Sequence, residues 1–180
     1  MSSSFQRTTN NGKISRLATD KSYRYSLIMD SKEFRKIFGE VAKSYGFKTA
    51  FGGCYKESTE CIFVLQLQKS NFGDYYELNI KIYIQGTFGN KYLPNKDTIK
   101  KEMGDVFNRQ PKEYCSLFDF DIAMSDEDRM QTLKKFFDDF VIPYEEKALS
   151  VSGVRELADE GSIFLLSTVK DELDRLYPVN

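Results

Sequence analysis

The side chains best placed to do chemistry are polar groups repeated every second residue. Gln66 and Gln68 sit two apart in one stretch, and Glu77, Asn79, Lys81 and Tyr83 alternate in the next. On adjacent strands this spacing puts amide, carboxylate, ammonium and phenol groups on one sheet face. Such a face can bind a polar ligand or a protein partner. It is equally what the solvated side of an antiparallel sheet looks like. Tyr75, Tyr83, Phe118 and Phe120 add aromatic area suited to an interface. Asp119 and Asp121, with Glu77 as a third group, could in principle hold a cation or act as acid and base, but exposed strand carboxylates are common and no metal site is expected.

Other chemistry is excluded by residue type. The 180 residues contain no histidine, which removes Ser-His-Asp and Cys-His nucleophiles, histidine metal sites and imidazole acid–base catalysis. Cys54, Cys61 and Cys115 include no CxxC pair, so no structural zinc or redox motif is expected. Cys54 and Cys61 could face each other across a hairpin, but two buried free thiols in a reducing cytoplasm is the simpler reading. Gly86-Thr87-Phe88-Gly89-Asn90-Lys91 lacks the phosphate-loop spacing, and Gly52-Gly53 lacks the dinucleotide fingerprint. No cofactor is expected. The net charge of −1 argues against broad nucleic-acid or membrane electrostatics. Lys69, Lys81, Lys91, Lys96, Lys100, Lys101 and Arg109 with Phe72, Tyr83 and Tyr92 could make a local single-strand patch, but interspersed acids dilute it. The longest unbroken apolar run, Cys61 to Leu65, is five residues, far short of a membrane helix.

The elements that must position these groups follow from periodicity. Residues 1–22 are polar, turn-rich and carry +3, and are expected to be a flexible tail before a single domain at 23–180. Phe34, Ile37, Phe38, Val41, Ala42 and Tyr45 form one helical face over 31–45, with Asp30 as N-cap and Gly46 as the left-handed stop. Strands are expected at 47–56, with Gly52-Gly53 as a bulge or close backbone approach, at 60–69 and at 75–85. In the last of these Tyr76, Leu78, Ile80, Ile82 and Ile84 point to the core, so Asn79, Lys81 and Tyr83 are expected to face solvent.

Residues 86–112 look like a long excursion containing a helix at 96–107, and a fourth strand is expected at 113–122. Ser125 opens a helix striped by Met130, Leu133, Phe136, Phe137, Phe140 and Val141, which Pro143 ends or kinks. Helices at 151–160 and 162–176 follow. The expected fold is α+β: an antiparallel sheet of about four strands with helices packed on one face.

The run Gly46-Phe47-Lys48, then Val64-Leu65-Gln66-Leu67-Gln68-Lys69-Ser70-Asn71-Phe72-Gly73, then Tyr76 and Asn79-Ile80, resembles an uncharacterised, mainly bacterial family catalogued as domain of unknown function 4304. The resemblance covers roughly residues 30–145 and brings no activity with it. By matching position it implies that Gln68, Lys69, Ser70 and Asn79 are signature residues.

Two functions are compatible with all this. One is a small non-catalytic binding protein, such as an inhibitor or immunity-type partner, acting through Gln66, Gln68, Lys69, Ser70, Asn79, Lys81 and Tyr83. The other is a small-ligand-binding or enzymatic domain using the same face. A protein partner is the favoured expectation and a small polar ligand the alternative.

Overall fold

The structure, a computed structural model, describes residues 29–178. The expected tail at 1–22 lies outside the described residues. The chain is of the α+β class, with one antiparallel sheet of five strands in sequence order.

Helix α1 (Ser31–Ser44) forms where its spacing predicts. The Asp30 carboxylate accepts from the backbone N–H groups of Lys32 and Glu33, satisfying two donors that the first turn leaves free. Gly46 turns the chain out at φ +85°. The strand expected at 47–56 is instead two strands, β1 (Lys48–Ala50) and β2 (Gly53–Glu57), folded back at Phe51-Gly52. Both turn residues have positive φ, 53° and 83°. That is the twist a two-residue hairpin needs, although Phe is a costly residue for it. The close approach expected here is real at Gly53, where a Cβ would lie 2.7 Å from Ile99 Cγ2 and 3.0 Å from the Leu65 carbonyl oxygen.

Strands β3 (Cys61–Lys69) and β4 (Tyr76–Ile84) pair along their full length. Register places Cys54 opposite Leu65 and Cys61 opposite Ile84, so these two thiols do not face each other; both are buried and free. Cys61, Phe63, Leu65 and Leu67 share one face with Leu78, Ile80, Ile82 and Ile84. Against it pack Phe34, Phe38 and Phe137, with Phe38 and Phe137 ring centroids 5.5 Å apart. Each such aliphatic side chain contributes ~1.5–3 kcal/mol on burial.

The excursion differs from expectation. Helix α2 (Lys96–Lys100) lasts five residues, and the chain then forms β5 (Val106–Arg109) on the edge of β4. Gly104 ends any longer helix, with φ +79° and no room for a Cβ, which would sit 2.8 Å from the Ile82 oxygen. Helix α2 lies across the sheet face opposite α1. There Ile99 and Tyr92 join Ile62, Val64 and Tyr83 in a second, smaller core. Helices therefore cover both faces of part of the sheet, not one face only.

No strand forms at 113–122. Residues Lys112–Phe118 make a 3-10 helix, and a single bridge joins Tyr75 to Asp119. The carbonyls of Leu117 and Asp119 accept from the buried Arg129 guanidinium at 2.5 and 3.1 Å, which leaves them unavailable to a sheet. Arg129 belongs to α3 (Asp126–Phe136), capped by Ser125 as its position predicts. Pro143 does not end the run. A π-helical turn at Phe137–Val141 leads into α4 (Ile142–Ala148), so the proline sits in a first turn, where its missing N–H costs little. Helices α5 (Val151–Asp159) and α6 (Ser167–Leu176) complete the described chain. No helix among the described residues is long and apolar enough to cross a membrane.

Candidate functional site

The even-numbered residues of β3 and the odd-numbered residues of β4 do share the face opposite the main core. Gln66 lies opposite Asn79, Gln68 opposite Glu77 and Val64 opposite Lys81. The expectation that Lys81 and Tyr83 meet solvent does not hold. Lys81 and Tyr83 are 2% and 1% exposed, beneath α2, and Asn79, also expected to face solvent, is 5% exposed. Lys81 Nζ donates to the Ile99 carbonyl at 3.0 Å and Tyr83 Oη to the Thr98 carbonyl at 2.6 Å. The last carbonyls of a helix have no partner within it, so the two side chains act as its C-terminal donors. Burial lowers the Lys81 pKa from its ordinary value and raises that of Tyr83.

The face divides at Asn79. Beyond it α2 no longer covers the sheet, and the polar groups organise one another. Asn79 Nδ2 donates to Gln66 Oε1 at 3.0 Å and to Gln68 Oε1 at 2.9 Å. Asn79 Oδ1 is buried without a hydrogen-bond partner. Because both glutamines accept through oxygen, each keeps its own NH2 group free to donate. Glu77 and Arg109 pair beside them, and the Arg109 guanidinium stands 5.5 Å from the Phe107 ring. Register sets Arg109 opposite Asn79 and Phe107 opposite Lys81. The open patch is thus Gln66, Gln68, Glu77, Phe107 and Arg109, organised over the buried Asn79. Phe107 and Arg109 lie on β5, which the sequence does not signal: four residues give too little alternation to mark a strand, although Gly104 and Pro111 bracket it.

Lys69 and Ser70 do not join this patch. Lys69 points to the opposite side of the sheet. There it pairs with Asp74, donates to Ser31 Oγ at 3.0 Å and lies 5.0 Å from the Tyr76 ring. Ser70 Oγ accepts from the Phe72 N–H and shapes the loop before β4. The signature residues therefore serve two places: Gln68 and Asn79 the sheet face, Lys69 and Ser70 the junction of α1 with that loop.

Asp119 and Asp121 do not form a metal pair with Glu77. Asp119 Oδ1 accepts from the Asp121 N–H at 2.9 Å and Asp121 Oδ2 from the Asp74 N–H at 3.1 Å, so both carboxylates hold backbone turns. The basic residues of the candidate single-strand patch are also dispersed. Arg109 pairs with Glu77, Lys101 with Asp97, and Lys81 is buried.

A family model described as Domain of unknown function (DUF4304) matches residues 38–147, more than half of the chain. The match runs from the second half of α1 through the whole sheet to the end of α4. No curated protein and no solved structure matches the chain.

Proposed function

We propose that this chain, which belongs to the DUF4304 family, is a non-catalytic binding protein that recognises a protein partner through the open half of its polar sheet face. The observation that carries the reading is the hold of Asn79 on both glutamines at 3.0 and 2.9 Å. It holds Gln66 and Gln68 through their oxygens and leaves their NH2 groups as donors for backbone carbonyls or carboxylates on a partner. Phe107 and Arg109 beside them are residue types enriched at protein interfaces. Catalysis on this face would need a free acid, base or nucleophile. Of the candidates, Lys81 and Tyr83 donate to backbone carbonyls under α2, and Glu77 is paired with Arg109. An inhibitor or immunity-type role fits, because it requires a recognition surface and no chemistry of its own. In this reading the protein works in a reducing cytoplasm, where its cysteines remain thiols.

The test is affinity capture from the native host with the full chain and with the double variant Gln66→Glu, Gln68→Glu. Glutamate keeps the oxygens that Asn79 needs but removes the NH2 donors. A partner held by the wild type and lost by the folded variant supports the reading. A partner held equally by both overturns it.

A further inference from the structure

We infer a second binding site, on the other side of the sheet, for an organic anion with an apolar body. It goes beyond the proposed protein-binding face and uses different residues. A cleft of about 470 Å³ opens between α1 and the β1–β2 hairpin. This falls within the range of small-molecule sites. Its apolar lining comes from Phe38, Cys54, Leu65 and Leu67, the inner surface of the sheet and helix. Gly39 lines it from α1, and a Cβ there would meet nothing within 4 Å. The helix wall is open at the point where any other residue would fill it.

Positive charge converges at the hairpin end. Arg35 from α1 and Lys100 from α2 both reach Gly52, and Arg35 Nη2 and Lys100 Nζ each lie 3.2 Å from where a Cβ of that glycine would be. The two cations are therefore within roughly 6.5 Å of each other. Arg35 spends one donor on the Gly52 carbonyl, at 3.3 Å, and its guanidinium retains others. Neither Arg35 nor Lys100 has an ion-pair partner among the described residues, and neither does Lys43, further along the same helix wall. The acid among the lining residues, Glu40, sits 3.9 Å from Lys36. Arg35, which lines the apolar cleft, and Lys100, which stands beside Gly52 at its rim, have no ion-pair partner among the described residues and together complement a ligand with one anionic head and a hydrocarbon or aromatic body. A carboxylate or a phosphate monoester supplies that head equally well.

Octanoate and octyl phosphate are the anionic probes, with octanol and inorganic phosphate as the two half-ligands, each titrated into the full chain by calorimetry and amide NMR. At least one anionic probe is expected to saturate, to move the Gly39, Gly52 and Cys54 amides, and to bind at least about tenfold more tightly than octanol or phosphate. The tighter of the two names the head group. The double variant Arg35→Met, Lys100→Met is expected to lose about tenfold for the anion and leave octanol unchanged. Gly39→Leu puts a better helix former into the open space and is expected to abolish binding without loss of stability. Anions that bind no better than octanol, or equally well to the double variant, overturn the proposal. So does a glutamate-rich peptide that moves these amides while neither octyl anion does, since the cleft would then belong to a protein segment.

Discussion

The ammonium of Lys81, in the middle of β4, donates at 3.0 Å to the carbonyl of Ile99, 18 residues further along the chain. The contact reverses the ordinary meaning of a lysine among alternating polar residues. A charge that would mark a solvated sheet face instead fastens a short helix to it, and Tyr83 repeats the device at Thr98.

Lys81→Ala is expected to destabilise the protein by ~2–4 kcal/mol, because it opens a cavity and leaves the Ile99 carbonyl without a donor. Lys81→Met fills the space and removes a buried charge, so it should cost less than half as much. Tyr83→Phe should cost about 1–2 kcal/mol through the Thr98 carbonyl alone. Urea denaturation of the three variants checks this. A loss under ~0.5 kcal/mol for Lys81→Ala would mean that α2 does not depend on it.

The same lysine carries a pH signature. Its folded pKa lies below the ordinary 10.5. Between the folded value and 10.5 the unfolded chain binds more protons, so stability rises with pH across that window. Wild type should therefore gain on Lys81→Met as pH is raised from neutral toward 10.5. A constant difference between the two would contradict the lowered pKa.

Ile82→Ala is expected to cost ~2–5 kcal/mol, since Ile82 is fully buried at the centre of the main core. Comparing it with Lys81→Ala tests whether the two faces of β4 are both interior. Losses of similar size are expected, and a loss confined to Ile82→Ala would restore the solvated face.

Glu172 joins α6 to the turn after β4. Its carboxylate accepts from the Phe88 N–H at 2.8 Å and pairs with Arg175 at 2.7 Å. The Arg175 hydrogen bonds, then the Phe88 N–H, hold its pKa down from 4.5 to about 2. A depressed acid contributes its stabilisation above the unfolded value and loses it as pH falls through the folded one. The Phe88 amide shift should thus titrate near pH 2, and Glu172→Gln should abolish the step. A midpoint near the unperturbed 4.5 would show the contact to be weak in solution.

Tyr144 is buried, and its hydroxyl makes no well-formed hydrogen bond among the described residues, with the Asn108 side chain the polar group beside it. Tyr144→Phe keeps the ring contacts with Phe63 and Phe140 and removes a desolvated polar atom. It is expected to be neutral or to stabilise by up to ~1 kcal/mol. A loss of more than ~1 kcal/mol in thermal or urea unfolding would reveal a hydrogen bond at that oxygen.

The elements legible in the sequence were those with long, clean periods. Six apolar residues at helical spacing mark α1, and five at alternate positions set the inward face of β4, so the register that brings Gln66, Gln68 and Asn79 together could be anticipated. What was not legible depends on partners distant in the chain. Phe51-Gly52 carries no Asn-Gly or Asp-Gly mark of a two-residue hairpin, so β1 and β2 read as one strand, while β5 is too short to read as one at all. The alternation over 113–122 mimics a strand, but the buried Arg129 takes its carbonyls. Nothing local to Lys81 or Tyr83 announces that residues 98 and 99 will return to cover them.

The π-helical turn at Phe137–Val141 works as a phase shifter. A regular α-helix advances about 100° per residue, whereas a π turn holds one residue more within the same full circle, so the sequence period slips by one residue while the helix keeps its facing. Leu133 and Phe136 before the turn, and Tyr144 and Ala148 after it, are all buried against the interior. Deleting one residue within 137–141 would close the π turn into a regular α turn and leave Tyr144 facing Phe63. The same deletion elsewhere between Leu133 and Tyr144 would rotate Tyr144 by about 100°, so the rod formed by α3 and α4 tolerates a lost residue at one turn and not along the rest of its length.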